Sequence, residues 1–427
     1  MTQTGIFSTV FLVVLFATSV LHIWLALRHL RHVAAHRDAV PAEFAANIPL
    51  EAHQKAADYT QAKTRLGLAE FVANTLLLLI FTFGGILQSI HDFWPQTFPE
   101  SIPAGNYPHS LLLFGSLALV GFIIDLPFGM YRTFVIEERF GFNKMTWSLF
   151  VTDIFKQGLL AIAIGTPLLL AVLWLMAVMG ANWWLYVWLF WLTFNLLVLL
   201  LYPTLIAPLF NKFSPLDNAE LESRIEALLT RCGFRSNGLF VMDGSKRSSH
   251  GNAYFTGFGA AKRIVFFDTL IERLAPAEIE AVLAHELGHY KHRHVWKRIG
   301  LLAISSFALL WLLGILIAEP WFYNGLGVSS QGTALALILF SLVLPVFTFP
   351  LSPLFSRLSC LHEYEADAYA SRQAQAGDLV SALVKLYRDN AATLTPDPLH
   401  SLFYDSHPPA SLRIARLQSS TIGKDHD

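Results

Sequence analysis

Charge and cysteine are the two things this chain has little of. Of its 427 residues only 14% are Asp, Glu, Lys or Arg, against about 25% in an ordinary soluble domain. With 54% hydrophobic residues and a mean hydropathy of +0.48, so few charges cannot cover an apolar core, and the composition places the chain in a membrane. The two cysteines, Cys232 and Cys360, exclude a disulfide framework and fit neither a zinc knuckle nor a redox pair. A formal net charge of -1 without a long basic run excludes nucleic acid as a partner. Internal repeats and low-complexity segments are also missing.

What is there is length of apolar sequence. Seven runs, near residues 6–28, 66–88, 110–131, 157–180, 183–205, 299–318 and 333–354, reach the roughly 20 residues that a membrane-spanning helix needs. The first has no basic segment before it and no small-residue cleavage site, so it reads as a retained span and not a signal peptide. Lysine and arginine are absent from 1–5, 91–108, 181–182 and 319–332, which seven spans would place on one side. All basic residues then fall on the other side, which the positive-inside rule makes the cytoplasm. The N-terminus is expected outside and the C-terminus inside.

The longest cytoplasmic stretch, 207–298, is long enough to fold. Asp217-Asn218-Ala219-Glu220 before Leu221, Ile225, Leu228 and Leu229 predicts a capped amphipathic helix. "GLFVMDG", "NAYFTGFG" and "RIVFFDTLI" read as short strands between Gly- and Ser-rich turns. Pro276 stands where proline opens a helix. The expected fold is predominantly α: seven transmembrane helices with a small α+β domain inserted between spans five and six. The expected divisions are 1–206 for the five-span region, 207–298 for the inserted cytoplasmic core, 299–356 for spans six and seven, and 357–427 for a cytoplasmic C-terminal segment.

His285-Glu286-Leu287-Gly288-His289 carries the chemistry. On a helix the two histidines share a face and can reach one zinc ion, with Glu286 beside them to accept a proton from a water. The bland alternative is a membrane-surface helix with solvated histidines. A catalytic zinc takes three protein ligands, and the metzincin continuation fails because 292 is His and 295 is Val. His292, in a basic cluster with Lys291, Arg293 and His294, reads as solvated. In "LHEYEADAYA", Glu363 and Asp367 lie one turn apart on one face while Glu365 points away. That spacing offers Glu363 as third ligand and Asp367 as acceptor for a ligand ring's second N–H, with Ala366 small enough for close helix packing. A charged helix anchoring the membrane interface is the alternative.

Those motifs, with "HQKAADYTQAK", "FVIEERFGFNKMT", "DGSKRSSHGNAYFTGFGAAKRIVFFDTLI" and "SHPPASLRIARL", resemble the integral-membrane zinc metalloproteases of the CAAX prenyl protease 1 family over most of the chain. The resemblance implies that the inserted 207–298 domain is a gluzincin-like metallopeptidase core, with one zinc ion on His285, His289 and Glu363, Glu286 as general base, and a large chamber within the helices. It also implies Asn252 on an edge strand where an extended substrate pairs, His407 beside the scissile carbonyl, and Arg413 in substrate binding. One position departs from the family pattern. Cys360 stands where an arginine is usual before the glutamate ligand, which puts that arginine's ion pair in doubt.

The expected activity is hydrolysis of peptide bonds in proteins or peptides delivered from the membrane, including C-terminally lipidated CAAX-type substrates, with membrane lipids as further partners. Alternatives are a membrane quality-control protease without prenyl specificity, a non-catalytic membrane adaptor, and a transporter. The last is poorly matched, because Asp125 is nearly alone among the spans as a charge and no broken-helix pattern repeats. The lack of long insertions leans towards a bacterial inner membrane, with the endoplasmic reticulum as the alternative.

Overall fold

The computed structural model describes residues 2–256 and 263–422. Among them are seven helices long and apolar enough to cross a membrane: Gln3–Ala35, Leu50–Phe81, Tyr107–Glu137, Trp147–Val178, Gly180–Phe210, His294–Leu316 and Thr333–Gln373. Side-chain oxygens of Thr2, Asn106 and Thr146 cap the first, third and fourth by accepting N–H groups of the first turn. Large apolar side chains stand bare on the outer faces, Ile304 with 72% of its surface exposed. That is expected of surface meeting hydrocarbon and not water.

The second helix is displaced from the apolar run that announced it. It starts at Leu50, because "HQKAADYTQAK" extends it as an amphipathic stalk, and it ends at Phe81 instead of 88. The stop is steric: a Cβ on Gly84 would lie 2.6 Å from the Ile80 carbonyl oxygen, and Gly85 turns with φ 74°. Prolines irregularise three other spans. π-turns close the third at Arg132–Glu137 and the fifth at Tyr202–Ile206, and a 3-10 turn at Phe349–Leu351 bends the seventh. The seventh is the most buried span and is central to an intramembrane core with Phe11, Leu113, Tyr323, Leu335 and Leu339.

On the basic side lies a four-stranded sheet in the order β1 (Phe213–Pro215), β2 (Leu239–Met242), β4 (Arg263–Phe267), β3 (Ala253–Thr256). β2 and β4 are parallel, the outer pairs antiparallel. β1 was not foreseen, being three residues long and ending in proline. The last residues of "NAYFTGFG" lie outside the described residues. The helix Ala219–Arg231 is capped by the Asn218 side chain, and Pro276 opens the helix Pro276–Lys291. That second helix is also capped by Glu278, which accepts from Ala275 N at 2.7 Å. One core joins Leu221, Ile225, Phe266, Ile279, Leu283 and Leu287 to Tyr369, Leu383 and Leu417. The end of the seventh span and the C-terminal helices therefore pack into the same unit as 207–298.

Two local features set the site. A Cβ on Gly288 would meet Ala366 Cα at 2.8 Å, so the absent side chain lets the motif helix touch the seventh span's extension backbone to backbone. The motif helix then ends at Lys291, and Arg293 adopts φ 56°, ψ 35°, a left-handed conformation costing a non-glycine residue about 1–3 kcal/mol. That turn separates it from the sixth span, which begins at His294.

Candidate metal centre and catalytic cleft

His285 and His289, one helical turn apart, face Glu363 across the Gly288–Ala366 contact. His285 Nε2 is 3.2 Å from His289 Nε2 and 3.4 Å from Glu363 Oε2, and His289 Nε2 is 3.3 Å from Glu363 Oε1. The two Glu363 contacts run to different carboxylate oxygens, and one donor atom from each residue lies within 4.8 Å of the others. Ligands of a tetrahedral zinc stand about 3.3–3.4 Å apart, so this triangle of residues is compact enough to converge on one ion. Glu363 is 2% exposed, and its Oε2 has no well-formed hydrogen bond, only His285 Nε2 at 3.4 Å and Arg413 Nη1 at 3.7 Å. A buried carboxylate oxygen partnered so loosely is costly, and a cation among these donors lowers that cost. These are the only His, Cys, Asp or Glu residues among those described that group as a metal set.

Behind the triangle, Asp367 Oδ1 lies 2.8 Å from His285 Nδ1, the contact that sequence spacing suggested. Arg413 donates to the same carboxylate through Nε at 2.8 Å and Nη2 at 2.7 Å, with Nη1 3.7 Å from Glu363 Oε2. Its side chain is 7% exposed and lies behind the ligands, away from the cleft wall. A guanidinium thus stands beside Glu363 even though Cys360 occupies the usual arginine position. Burial alone depresses the His285 imidazolium, but the adjacent Asp367 and Glu363 carboxylates more than reverse this and push it up to about 9. A cation in the triangle would replace the proton thus attracted to Nε2.

The other side of the triangle opens on a cleft of about 450 Å³ walled by Glu286, His289, Glu363, His407, Tyr254 and Phe255. Burial pushes the Glu286 carboxyl above the ordinary range. His407 Nε2 is 3.5 Å from Glu363 Oε1, and its side chain is 59% exposed towards the cleft. Its Nδ1 is 2.8 Å from Ser406 Oγ, and desolvation keeps the ring's pKa low. Ser356, on the seventh span's extension, donates to the Asp405 carbonyl at 2.5 Å, fixing the loop that carries His407. Asn252 immediately precedes the edge strand β3, whose Tyr254 and Phe255 line the cleft, and its side chain accepts from Ala253 N at 2.8 Å. Asp125 is exposed on the third span and outside the metal group.

The surroundings contain residues that sequence reasoning missed. His292 is half-buried against Tyr369, not solvated, because the chain turns at Arg293. For the same reason His294, grouped with the basic cluster in the sequence, is buried beside His289. A second cluster ties the membrane region to the strand that precedes the cleft. Tyr59 donates to Glu137 at 2.5 Å, Glu137 lies 3.5 Å from His250, and Asn390 holds Gly251 N at 3.2 Å. Arg247 forks onto Asp153 of the fourth span at 2.8 and 2.9 Å. These partners come from motifs visible in the sequence, but their meeting depends on long-range folding.

Comparison with known proteins accounts for the combination of spans and site. Residues 29–212 match the family model "CAAX prenyl protease N-terminal, five membrane helices", and residues 215–421 match "Peptidase family M48". CAAX prenyl protease 1 of Saccharomyces cerevisiae is 34% identical, with 86% of each chain covered. The CAAX prenyl protease 1 homolog of Homo sapiens is 33% identical over 91% of this chain and 90% of that one. The crystal structure of S. mikatae Ste24p superposes with a TM-score of 0.89 at 32% identity, covering 98% of this chain and 99% of that chain. All three relatives are eukaryotic and lend the bacterial leaning no support, and the matches do not favour the transporter or adaptor alternatives. Seven membrane helices, an inserted sheet and a His-His-Glu triangle thus identify the chain as a multi-pass membrane metalloendopeptidase of the CAAX prenyl protease 1 family, within the zinc-dependent M48 peptidases.

Proposed function

We propose that His285, His289 and Glu363 hold one zinc ion, and that the protein cleaves C-terminally lipidated, CAAX-type proteins presented from the membrane. The convergence of the two histidine Nε2 atoms, 3.2 Å apart, with the Glu363 carboxylate, whose two oxygens approach them at 3.3 and 3.4 Å, supports this most directly. Zinc in such a triangle supplies Lewis acidity, activating a water and polarising the scissile carbonyl. Glu286, with a carboxyl raised by burial, takes the proton of the attacking water and passes it to the leaving amine. His407 donates to the carbonyl oxygen as charge develops there. Asp367, clamped by Arg413, holds His285 with Nε2 free to ligate, giving Arg413 a positioning role behind the ligands. The β3 edge beside Asn252 offers unpaired backbone groups to an extended substrate.

The absence of Lys and Arg from 91–108 and 319–332 supports an orientation with the metallopeptidase unit in the cytoplasm. The C-terminal segment from 357 belongs functionally to that unit, since it supplies Glu363 and His407. Lipidated substrate would reach the cleft from the surrounding lipid. The test is cleavage of matched prenylated and unprenylated CAAX peptides by protein reconstituted in lipid nanodiscs, with chelator, with zinc restored, and with Glu286→Ala. Zinc-dependent cleavage restricted to the prenylated peptide and lost in the variant supports the proposal. Equal cleavage of both peptides moves the reading to quality control, and full activity in Glu286→Ala overturns the base assignment.

A further inference from the structure

The two histidines of the triangle are held from behind in different ways, and only one was anticipated. His285 leans on Asp367 directly. His289 instead has Nδ1 2.9 Å from His294 Nδ1, and His294 Nε2 is 2.7 Å from Glu365 Oε2. Resting on the zinc assignment above, the tautomers along this chain follow one from another. A neutral His289 that ligates through Nε2 carries its proton on Nδ1. That proton can be donated only if His294 Nδ1 is the bare nitrogen, so His294 carries its own proton on Nε2, where Glu365 accepts it. We infer that His294 and Glu365 are positioning residues that fix the ring orientation and tautomer of His289 for the metal.

Several features set this apart from simple packing. The His294 side chain is 2% exposed, and an apolar residue would fill that space without needing partners. Arg293 holds a left-handed backbone with φ 56°, and this turn is what directs the first residue of the sixth span back to His289. His362 stacks on the ring at 4.1 Å between centroids, limiting its rotation, and Lys297 Nζ lies 3.4 Å from Glu365 Oε2. Glu365 is 44% exposed, so water screens its charge, and its removal should matter less than loss of the His294 acceptor.

The experiment compares His294→Val, His294→Asn, Glu365→Leu and wild type, all full length in detergent. Zinc affinity is read by competition with a chromogenic chelator, and thermal unfolding of the zinc-free proteins serves as the folding control. Valine and asparagine are close in size, but only asparagine leaves an acceptor oxygen near the Nδ1 position. Expected is an affinity loss of about 10–100-fold for valine, within about threefold for asparagine, and a loss between those for Glu365→Leu, which removes the acceptor for His294. Glu365→Leu, at a half-exposed site, keeps the test decisive if the valine variant fails to fold. Wild-type affinity in whichever of the valine and leucine variants folds overturns the relay while leaving the zinc site standing. A wild type that binds no zinc overturns the metal centre, and the relay with it.

Discussion

Gly288→Ala tests how closely the motif helix and the seventh span's extension must approach. The added Cβ would lie 2.8 Å from Ala366 Cα, 3.0 Å from its carbonyl oxygen and 3.2 Å from Tyr369 Cβ. Carbon atoms in favourable contact are about 3.5–4.0 Å apart, so the helices must separate by about 0.7–1.2 Å at that point. Overpacking of this kind costs about 1–3 kcal/mol. Because the triangle spans the same interface, a comparable displacement of Glu363 from the histidines costs about 100-fold in activity. The clash is with backbone atoms, so adding Ala366→Gly cannot relieve it. Thermal unfolding, zinc competition and turnover of the single and double variants are the assays. Unchanged stability and zinc affinity in Gly288→Ala, or full rescue by Ala366→Gly, would refute the reasoning.

Other consequences are open to measurement. Burial pushes the Glu278 carboxyl up, but Lys385, Ser381 and the Ala275 N–H together hold it below its ordinary range. A depressed carboxylate stabilises the fold above its unfolded pKa, and that contribution is lost as pH falls through the folded value. Glu278→Gln should therefore lower stability at pH 7 by about 2 kcal/mol, with the gap from wild type closing below about pH 4.5; a pH-independent gap in the melting temperatures refutes this. His407→Ala should lower kcat about 100-fold with little change in zinc affinity, and an unchanged kcat removes His407 from the reaction.

Much of this molecule was legible because its signals are local. Seven apolar runs, the four-residue spacing of His285 and His289, and that of Glu363 and Asp367 each follow from helix geometry within one segment. His294 escaped because the basic cluster Lys291–His294 reads as a solvated face when the motif helix is taken to run unbroken into the sixth span. The actual break rests on an arginine in a left-handed conformation, which residue type does not signal. Arg413 was named from the resemblance as a substrate-binding residue, but its place behind the ligands was not legible, because its pairing with Asp367, 46 residues upstream, is tertiary. β1 is too short and too proline-bound to register as a strand, and Glu137 meets His250 only across the interface between the membrane helices and the sheet.

The most direct test of the central claim is the zinc content of purified wild type, His289→Ala and Glu363→Ala by mass spectrometry after dialysis against trace zinc. The account predicts one zinc per chain in wild type and none above background in either variant, with all three proteins folded. A wild type without zinc, or variants that retain a full equivalent, would contradict it.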